Sequence, residues 1–258
     1  MKTKKNDWGE VWSNLNYDPD LLVKKSLESS SFSLMSTILQ KKFGSFKNLT
    51  TIELGSGMGT TSLLLALQGA KPTLVDNNEI ALQRAKEIFN YYNIKPKLIN
   101  EDIFEFNKNN DHKYDIALSV GLIEHFRNSK REEVINTHLN LLKNDGTILI
   151  AVPNKYCFNY RIWMYIVKLI GKWNYGYEKP FSRSELLNIA EKIGLKQYQI
   201  YGAGFVNSID NHLFVFFKIR LQKALGMKTF PLIQLLPDVR IPLIDNHLGK
   251  TLILVGGV

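Results

Sequence analysis

The residues best suited to chemistry begin in the stretch IELGSGMG, where Gly55, Gly57 and Gly59 alternate after an apolar run. Such glycine loops bring backbone N–H groups close to a nucleotide. The dinucleotide pattern G-x-G-x-x-G requires a glycine at position 60, where this chain has Thr60, and Glu53 stands two places before the first glycine. A carboxylate there is an unfavourable neighbour for a pyrophosphate but suits an ammonium or sulfonium group. The loop therefore favours a nucleoside joined to an amino acid.

Polar residues also follow three later apolar runs. Asp76 ends KPTLVD, where a carboxylate can accept both hydroxyls of a ribose, and Asp102 follows KPKLINE, where it can accept a hydrogen bond from an adenine amino group. The run YDIALSV leads into GLIEHF, which places His125 at the same edge. An unperturbed histidine pKa near about 6.5 suits a general base. We expect Glu124 to orient His125, and the alternative is that His125 only packs over the bound nucleoside.

Strands and helices alternate between residues 49 and 154, which predicts a parallel sheet with ligands at the carboxyl ends of its strands. Two helices are expected before it, at about 19–28 and 32–43, with Gly44 as a stop. The pattern also predicts a helix over 131–144 that ends at Asn144, Asp145 and Gly146, followed by a strand over 146–154. A final strand is expected at 251–258.

These four segments together resemble the motifs of class I S-adenosylmethionine-dependent methyltransferases, closely over 49–154 and loosely over 180–258. The Glu124–His125 pair resembles the same position in ubiquinone- and menaquinone-pathway members. The resemblance implies an α/β, Rossmann-like sheet of seven strands, mostly parallel with the last antiparallel, and S-adenosyl-L-methionine as cofactor. The residues that it assigns to the cofactor are Glu53, Gly55, Ser56, Gly57, Gly59, Asp76, Asn77, Asp102, Ile103, Ser119, Val120 and Gly121.

The chain is expected to consist of an N-terminal helical arm or lid at 1–48 and a methyltransferase domain at 49–258. The domain would include a cap insertion at about 155–180 and a basic, apolar insertion at about 206–248. Trp8 and Trp12 are candidates for the lid, although ordinary packing is the simpler reading for Trp8. Tyr17, Tyr177 and Glu178 are candidate contacts of the methyl acceptor.

Charge is unevenly placed: residues 155–258 hold 14 of the 33 Lys and Arg but only 6 of the 24 Asp and Glu. Within 158–173 one face is expected to be apolar and the other basic, the apolar positions being Trp163, Ile166, Val167, Ile170 and Trp173. This helix and residues 212–227 can rest on an anionic membrane and reach a lipid-like acceptor, or the basic face can simply be solvated. We expect a small-molecule or lipid-like acceptor.

Several alternatives remain open from the sequence. A nucleic-acid methyltransferase fits the net charge of +9, but the fourth motif lacks the Asp/Asn-Pro-Pro-aromatic pattern of enzymes that methylate base amino groups. Tyr91/Lys95 and Tyr175/Lys179 have the Tyr-x-x-x-Lys spacing of NAD(P)-dependent short-chain dehydrogenases. A cofactor-binding protein without catalysis is a third class.

The string IDNHL occurs at 209–213 and again at 244–248, so two Asp and two His could hold a metal or could form two similar capping turns. We assign no metal ligands. The single cysteine, Cys157, the absence of a signal peptide and the absence of a long apolar run predict a cytoplasmic protein, with peripheral membrane contact as an option.

Overall fold

Seven strands form one sheet in the computed structural model, which describes residues 8–214, 218 and 235–257. The strand order is β3-β2-β1-β4-β5-β7-β6, and β7 pairs antiparallel with both β5 and β6 while the other neighbours pair in parallel. This confirms the predicted sheet. The strands are β1 (Thr50–Leu54), β2 (Lys71–Asp76), β3 (Lys97–Asn100), β4 (Tyr114–Val120), β5 (Leu142–Pro153), β6 (Lys196–Ala203) and β7 (Thr251–Gly257).

Helices cover both faces of the sheet. The helices are α1 (Trp8–Ser13), α2 (Pro19–Leu27), α3 (Ser30–Phe43), α4 (Thr60–Ala66), α5 (Glu79–Tyr91), α6 (Ile103–Asn109), α7 (Lys130–Asn140), α8 (Phe158–Leu169), α9 (Arg183–Lys192), α10 (Phe205–Ser208) and α11 (Pro242–Leu248). A 3-10 turn spans Ile123–His125 and a π-helical turn spans Ile209–Leu213. Helices α2 to α5 pack in one apolar core, and α6, α7 and α9 pack in the other. Burial of the parallel strands on both faces explains their continuous apolar runs.

Short polar side chains start the helices that border the ligand edge. The carboxylate of Asp102 accepts a hydrogen bond from the Phe104 N–H at 2.9 Å at the start of α6, and the side chain of Asn78 accepts one from Ala81 at 3.0 Å at the start of α5. Such caps satisfy N–H groups that have no partner within the helix. As a result, α5 begins shortly after β2 ends, and α6 begins shortly after β3 ends.

The predicted end of the helix after β4 was wrong. Helix α7 ends at Asn140, and β5 already begins at Leu142, four residues before the predicted start of the strand at Gly146. Leu142 is buried and pairs with Tyr114 across a bulge in the ladder. Asn144, Asp145 and Gly146 therefore lie within the strand, because burying Leu142 against the sheet takes precedence over the local turn pattern.

The predicted apolar face of residues 158–173 was also partly wrong. Helix α8 ends at Leu169, and Gly171 follows with a positive φ of 68°, so Ile170 is exposed and Trp173 lies beyond the helix. Tyr160 and Met164 make the buried face, together with half-buried Trp163. A second apolar row, Phe158, Ile162, Tyr165 and Leu169, is 48–67% exposed.

The basic apolar segment at 212–227 falls mostly outside the described residues, as does the middle of the insertion expected at 206–248. Within 8–214, 218 and 235–257, no helix has the length and apolar content that crossing a membrane requires.

Strand β6 tolerates no side chain at Gly202. A Cβ added there would lie 1.8 Å from the carbonyl oxygen of Asp245 in α11. We expect Gly202→Ala to lower the free energy of unfolding by about 2 kcal/mol or more, because backbone must move to relieve the overlap. Urea unfolding followed by tryptophan fluorescence measures the change.

Gly171→Ala is the matched control, since Gly171 has a positive φ but no atom within 4 Å of the added Cβ. Gly171→Ala should lower the free energy of unfolding by about 1 kcal/mol, from backbone strain alone. An equal or larger loss at Gly171 would contradict the packing argument for Gly202.

Candidate active site

The glycine loop packs closely against the side chains of Trp12 and Leu122. Gly55, Gly57 and Gly59 all have positive φ, between 53° and 66°. A Cβ on Gly57 would lie 2.6 Å from the Trp12 ring, and one on Gly55 would lie 2.4 Å from Leu122. Only glycine permits both the left-handed backbone and this contact. The loop therefore runs directly beneath helix α1 and beside the segment that follows β4.

Asp76 fixes the loop to the end of β2. Its Oδ2 accepts a hydrogen bond from the Gly57 N–H at 2.8 Å, and its Oδ1 accepts one from Asn78 at 2.9 Å. Burial raises the pKa of Asp76, while these backbone N–H groups and that of Asn77 act in the opposite direction. Lone pairs that remain on this carboxylate can still accept hydroxyl donors.

A cavity of about 320 Å³ opens over this edge. We name it the nucleoside cavity; its lining includes Trp8, Trp12, Gly55, Ser56, Gly57, Asp76, Asn77, Asp102, Ile103, Val120, Gly121, Leu122 and His125. It thus brings together nine of the twelve residues expected to bind the cofactor: Gly55, Ser56, Gly57, Asp76, Asn77, Asp102, Ile103, Val120 and Gly121. Ser119 is fully buried behind them in β4, and its Oγ has no hydrogen-bond partner among the described residues.

Glu53 and Gly59 lie on a neighbouring cavity of about 300 Å³ under α1 and α2. The Glu53 carboxylate is 3% exposed and accepts a hydrogen bond from the Ser62 N–H at 3.1 Å. Burial raises the pKa of Glu53 to about 7. Tyr17, expected as an acceptor contact, lines this cavity instead. Trp12, Ser56 and Val120 border both cavities, so they adjoin.

A third cavity, of about 370 Å³, lies beside the nucleoside cavity over the ends of β5 and β7. We name it the acceptor cavity; it is lined by Trp8, Val120, Gly121, Glu124, His125, Ala151, Val152, Pro153, Tyr160, Trp163, Tyr175, Glu178, His212, Lys250 and Thr251. Trp8, Val120, Gly121 and His125 border both it and the nucleoside cavity. The two spaces therefore meet at the end of β4.

His125 stands at this junction with one nitrogen engaged. Its Nδ1 lies 2.8 Å from the carbonyl oxygen of Tyr177. A carbonyl can only accept, so Nδ1 carries the proton and Nε2 keeps its lone pair in the neutral ring. Burial lowers the pKa of His125 below its usual value, which favours that neutral form near pH 7. The Trp8 ring meets His125 edge-on, with 5.2 Å between ring centroids.

Glu124 does not supply the orienting contact that we expected, because the Tyr177 carbonyl takes that place. Its side chain is 2% exposed, and its Oε2 has no hydrogen-bond partner among the described residues. Burial raises the pKa of Glu124 to about 8, so the carboxyl is largely protonated at pH 7. A protonated carboxyl can donate a hydrogen bond in the acceptor cavity.

The two candidate acceptor contacts in the cap, Glu178 and Tyr177, differ in whether their side chains line the acceptor cavity. Glu178 lines the acceptor cavity, where the Tyr160 hydroxyl donates to its Oε1. The Tyr177 ring instead lies 4.0 Å from the guanidinium of Arg127, so that residue acts on the site through its carbonyl.

Sequence reasoning missed most of the aromatic wall of the acceptor cavity. Ring contacts of 5.1 to 5.9 Å between centroids join Trp8, Tyr175, Trp173, Trp163 and His212 in that order. Trp8 therefore does more than pack in an N-terminal arm. No local pattern marks these residues, because α1, α8, the 170–178 loop and the π-helical turn are far apart in the sequence.

The repeated IDNHL strings form two buried caps. Asp210 receives hydrogen bonds from Lys218 Nζ at 2.6 Å and from the Leu235 and Leu236 N–H groups at 2.9 and 3.0 Å. Asp245 accepts from Phe205 at 2.8 Å and from the Ile241 N–H. Within the described ranges no three His, Cys, Asp or Glu side chains cluster as metal ligands would.

The sheet topology, the glycine loop and the carboxylates at successive strand ends define a class I S-adenosylmethionine-dependent methyltransferase. A family model described as a methyltransferase domain matches residues 45–191, more than half of the chain, and the protein belongs to that family. Its cofactor is therefore S-adenosyl-L-methionine. Tyr91 of the alternative dehydrogenase pair is an exposed residue that donates to Asp20 at 2.8 Å, away from the glycine loop.

Three proteins illustrate what this chain is similar to. The ubiquinone biosynthesis O-methyltransferase of Pelagibacter ubique is 28% identical over 173 residues, or 64% of this chain and 68% of that protein. The carboxy-S-adenosyl-L-methionine synthase of Nautilia profundicola is 30% identical over 152 residues, which are 55% of this chain and 57% of that protein. The crystal structure of magnesium protoporphyrin IX methyltransferase from Synechocystis, with bound SAH, has a TM-score of 0.58 at 12% identity and covers 97% of this chain and 93% of its own.

The Asp76 carboxylate can be tested as a cofactor contact. We expect Asp76→Ala to weaken binding of S-adenosylmethionine by about tenfold or more, because it releases the Gly57 N–H and removes a charged acceptor. Calorimetry gives the affinity. Glu79→Ala removes the same charge from the exposed start of α5 and should bind normally; equal losses in both variants would contradict a specific contact.

Proposed function

We propose that the enzyme transfers the methyl group to a small-molecule or lipid-like acceptor held in the acceptor cavity. The proposal rests on the junction of the two cavities at Trp8, Val120, Gly121 and His125. S-Adenosylmethionine supplies a methyl group on a sulfonium, which needs no further activation. The protein contributes alignment, which can be worth about 7–11 kcal/mol. The junction provides one place where donor and acceptor can meet.

The residues around the loop fit the cofactor chemically. Asp76 and Asp102 present carboxylates on the nucleoside cavity, and Ile103 offers an apolar edge there. Glu53 and Gly59 would face the amino-acid end on the adjoining cavity, and Tyr17 lies there too. The fully buried Ser119 would support Val120 and Gly121 from within β4. We assign all twelve expected residues to the cofactor on this basis.

His125 would act as the general base. Its Nε2 is left with a lone pair because Nδ1 is held by the Tyr177 carbonyl, and the ring borders both cavities. The hydroxyl of the acceptor would transfer its proton to Nε2 as its oxygen bonds to the methyl carbon and the methyl–sulfur bond breaks, which leaves S-adenosylhomocysteine. The names of relatives such as the Pelagibacter O-methyltransferase support an oxygen acceptor. Glu124 would donate to a second oxygen of the acceptor.

The remaining segments take roles around these cavities. Residues 1–48 would form a lid, since Trp8 and Trp12 of α1 border the nucleoside cavity. Residues 155–180 would form the cap that supplies Tyr160, Trp163, Tyr175 and Glu178. The described part of the insertion expected at 206–248 would border the cavity through His212.

The nucleic-acid alternative gains little support from the cavity. Nucleic-acid binding depends on rows of Lys and Arg that neutralise phosphates, whereas the acceptor cavity has one Lys, two Glu and a mainly aromatic wall. Labelled S-adenosylmethionine incubated with protein and a cell extract tests the acceptor class. Label in the small-molecule or lipid fraction is expected, and label confined to RNA would overturn the proposal.

The base role predicts a specific pH dependence. The methyl acceptor must lose its proton to neutral His125, and burial places the histidine pKa below its usual value of about 6.5. Activity should therefore be constant near pH 7 and fall only as the pH drops through that lowered pKa. His125→Asn should reduce kcat by about 10²–10⁴-fold and remove this acid limb.

Calorimetry should show unchanged cofactor affinity in His125→Asn. His112→Asn, which changes an exposed loop histidine, is the matched control and should keep full activity. An intact acid limb in His125→Asn would refute the base role.

We further propose that α8 rests on an anionic membrane surface. Phe158, Ile162, Tyr165 and Leu169 form an exposed apolar row, and Arg161, Lys168 and Lys172 are exposed beside it. Apolar insertion combined with basic charge is what binding to anionic lipid requires. The same helix lines the acceptor cavity through Tyr160 and Trp163, so a lipid-like acceptor would enter near the surface.

Co-sedimentation with phosphatidylglycerol vesicles at low salt tests this surface. The protein should pellet with these vesicles, less at high salt and less with phosphatidylcholine. Leu169→Glu should release it, while Leu67→Glu at the exposed position directly after α4 should not. The membrane proposal fails if the unaltered protein stays in solution, or if both variants behave alike.

A further inference from the structure

The far end of the acceptor cavity holds a lysine that methyl transfer does not require. Lys250 lies directly before β7 and, among the described residues, is the one Lys or Arg that lines this cavity. Thr251 and His212 line the cavity beside it. The aromatic wall made by Tyr160, Trp163 and Tyr175 leads from His125 toward this end.

Lys250 has no ion-pair partner within 4.0 Å in the part of the chain that the structure describes. Glu178 is the opposing charge on the same cavity, and its Oε1 is occupied by the Tyr160 hydroxyl. Asp238 also acts on Lys250 as an opposing charge. Two further neighbours carry little charge at pH 7, because burial lowers the pKa of His212 to about 3 and raises that of Glu124 to about 8. Burial also lowers the pKa of Lys250. A partly enclosed ammonium of this kind is stabilised by an added anion.

The sheet sets the distance between Lys250 and the methyl-transfer point. Val120 at the end of β4 pairs with Ala151 of β5, and Pro153 of β5 pairs with Thr251 of β7. Neighbouring strands lie about 4.8 Å apart, and Pro153 lies two residues, at about 3.3 Å each, beyond Ala151, so the start of β7 is about 12 Å from the end of β4. One substituted aromatic ring spans that interval.

We propose that Lys250 binds a carboxylate on a planar aromatic acceptor whose hydroxyl faces His125. The wall of Trp8, Tyr175 and Trp163 suits a flat ring, since aromatic pairs favour stacked and edge-on contacts. This inference rests on the proposed small-molecule function and narrows its substrate class to aromatic hydroxy acids. Lys250 would then determine specificity, while His125 performs the proton transfer.

Two probes of equal size test the carboxylate: 3,4-dihydroxybenzoate and its neutral amide, 3,4-dihydroxybenzamide. Their affinities are measured by quenching of tryptophan fluorescence in the presence of S-adenosylhomocysteine, because Trp8 and Trp163 line the cavity. The unaltered enzyme should prefer the carboxylate by about tenfold or more, as expected for a hydrogen bond to a charged group in a partly enclosed site. Lys250→Met should abolish the preference, and Lys250→Arg should keep part of it.

Lys155→Met is the matched control, because Lys155 is exposed and does not line the cavity. Calorimetry with S-adenosylhomocysteine confirms that each variant is folded. The inference is overturned if the unaltered enzyme binds both probes equally, if it binds neither, or if Lys250→Met retains the preference. Failure of the proposed function would be visible separately, as label confined to RNA in the extract experiment.

Discussion

The contact between Gly57, Asp76 and Trp12 is the constraint on which the rest of the site depends. The Gly57 N–H donates to the Asp76 carboxylate, and a Cβ added to Gly57 would lie 2.6 Å from the Trp12 ring, which leaves no room for a side chain. One residue thus joins β1, β2 and α1. The position of α1 in turn places Trp8 against His125. A substitution at Gly57 would therefore shift residues that line both the nucleoside cavity and the acceptor cavity.

The bond between His125 and the Tyr177 carbonyl links the cap to the central domain. The cap reaches the 3-10 turn twice, since the Lys179 N–H also donates to the Glu124 carbonyl at 3.0 Å. The backbone carbonyl of Tyr177 in the cap therefore fixes the tautomer of His125, and a substitution of the Tyr177 side chain leaves that carbonyl in place. Burial and this bond act on the same ring, because burial disfavours the charged form and the carbonyl fixes which nitrogen carries the proton.

Sequence reasoning predicted the sheet and the nucleoside edge well, because both depend on local signals that recur along the chain. Glycine spacing and the carboxylates after β2 and β3 put Gly57 and Asp76 at the carboxyl edge of the sheet, where the structure has them. It did not predict the acceptor cavity, whose aromatic wall comes from four separate segments that have no common pattern. The same limit applies to α7 and β5, where burial of Leu142 overrides an Asn-Asp-Gly turn signal, and to α8, whose end at Leu169 reassigns Ile170.

The buried Asp210 carboxylate has a consequence for how this protein can change. It accepts hydrogen bonds from Lys218, which precedes residues 219–234, and from Leu235 and Leu236, which follow them. Both ends of that stretch are thus tied at one point, two residues from His212. Loss of the Asp210 carboxylate would therefore release both ties at once, and the effect would reach the acceptor cavity through His212.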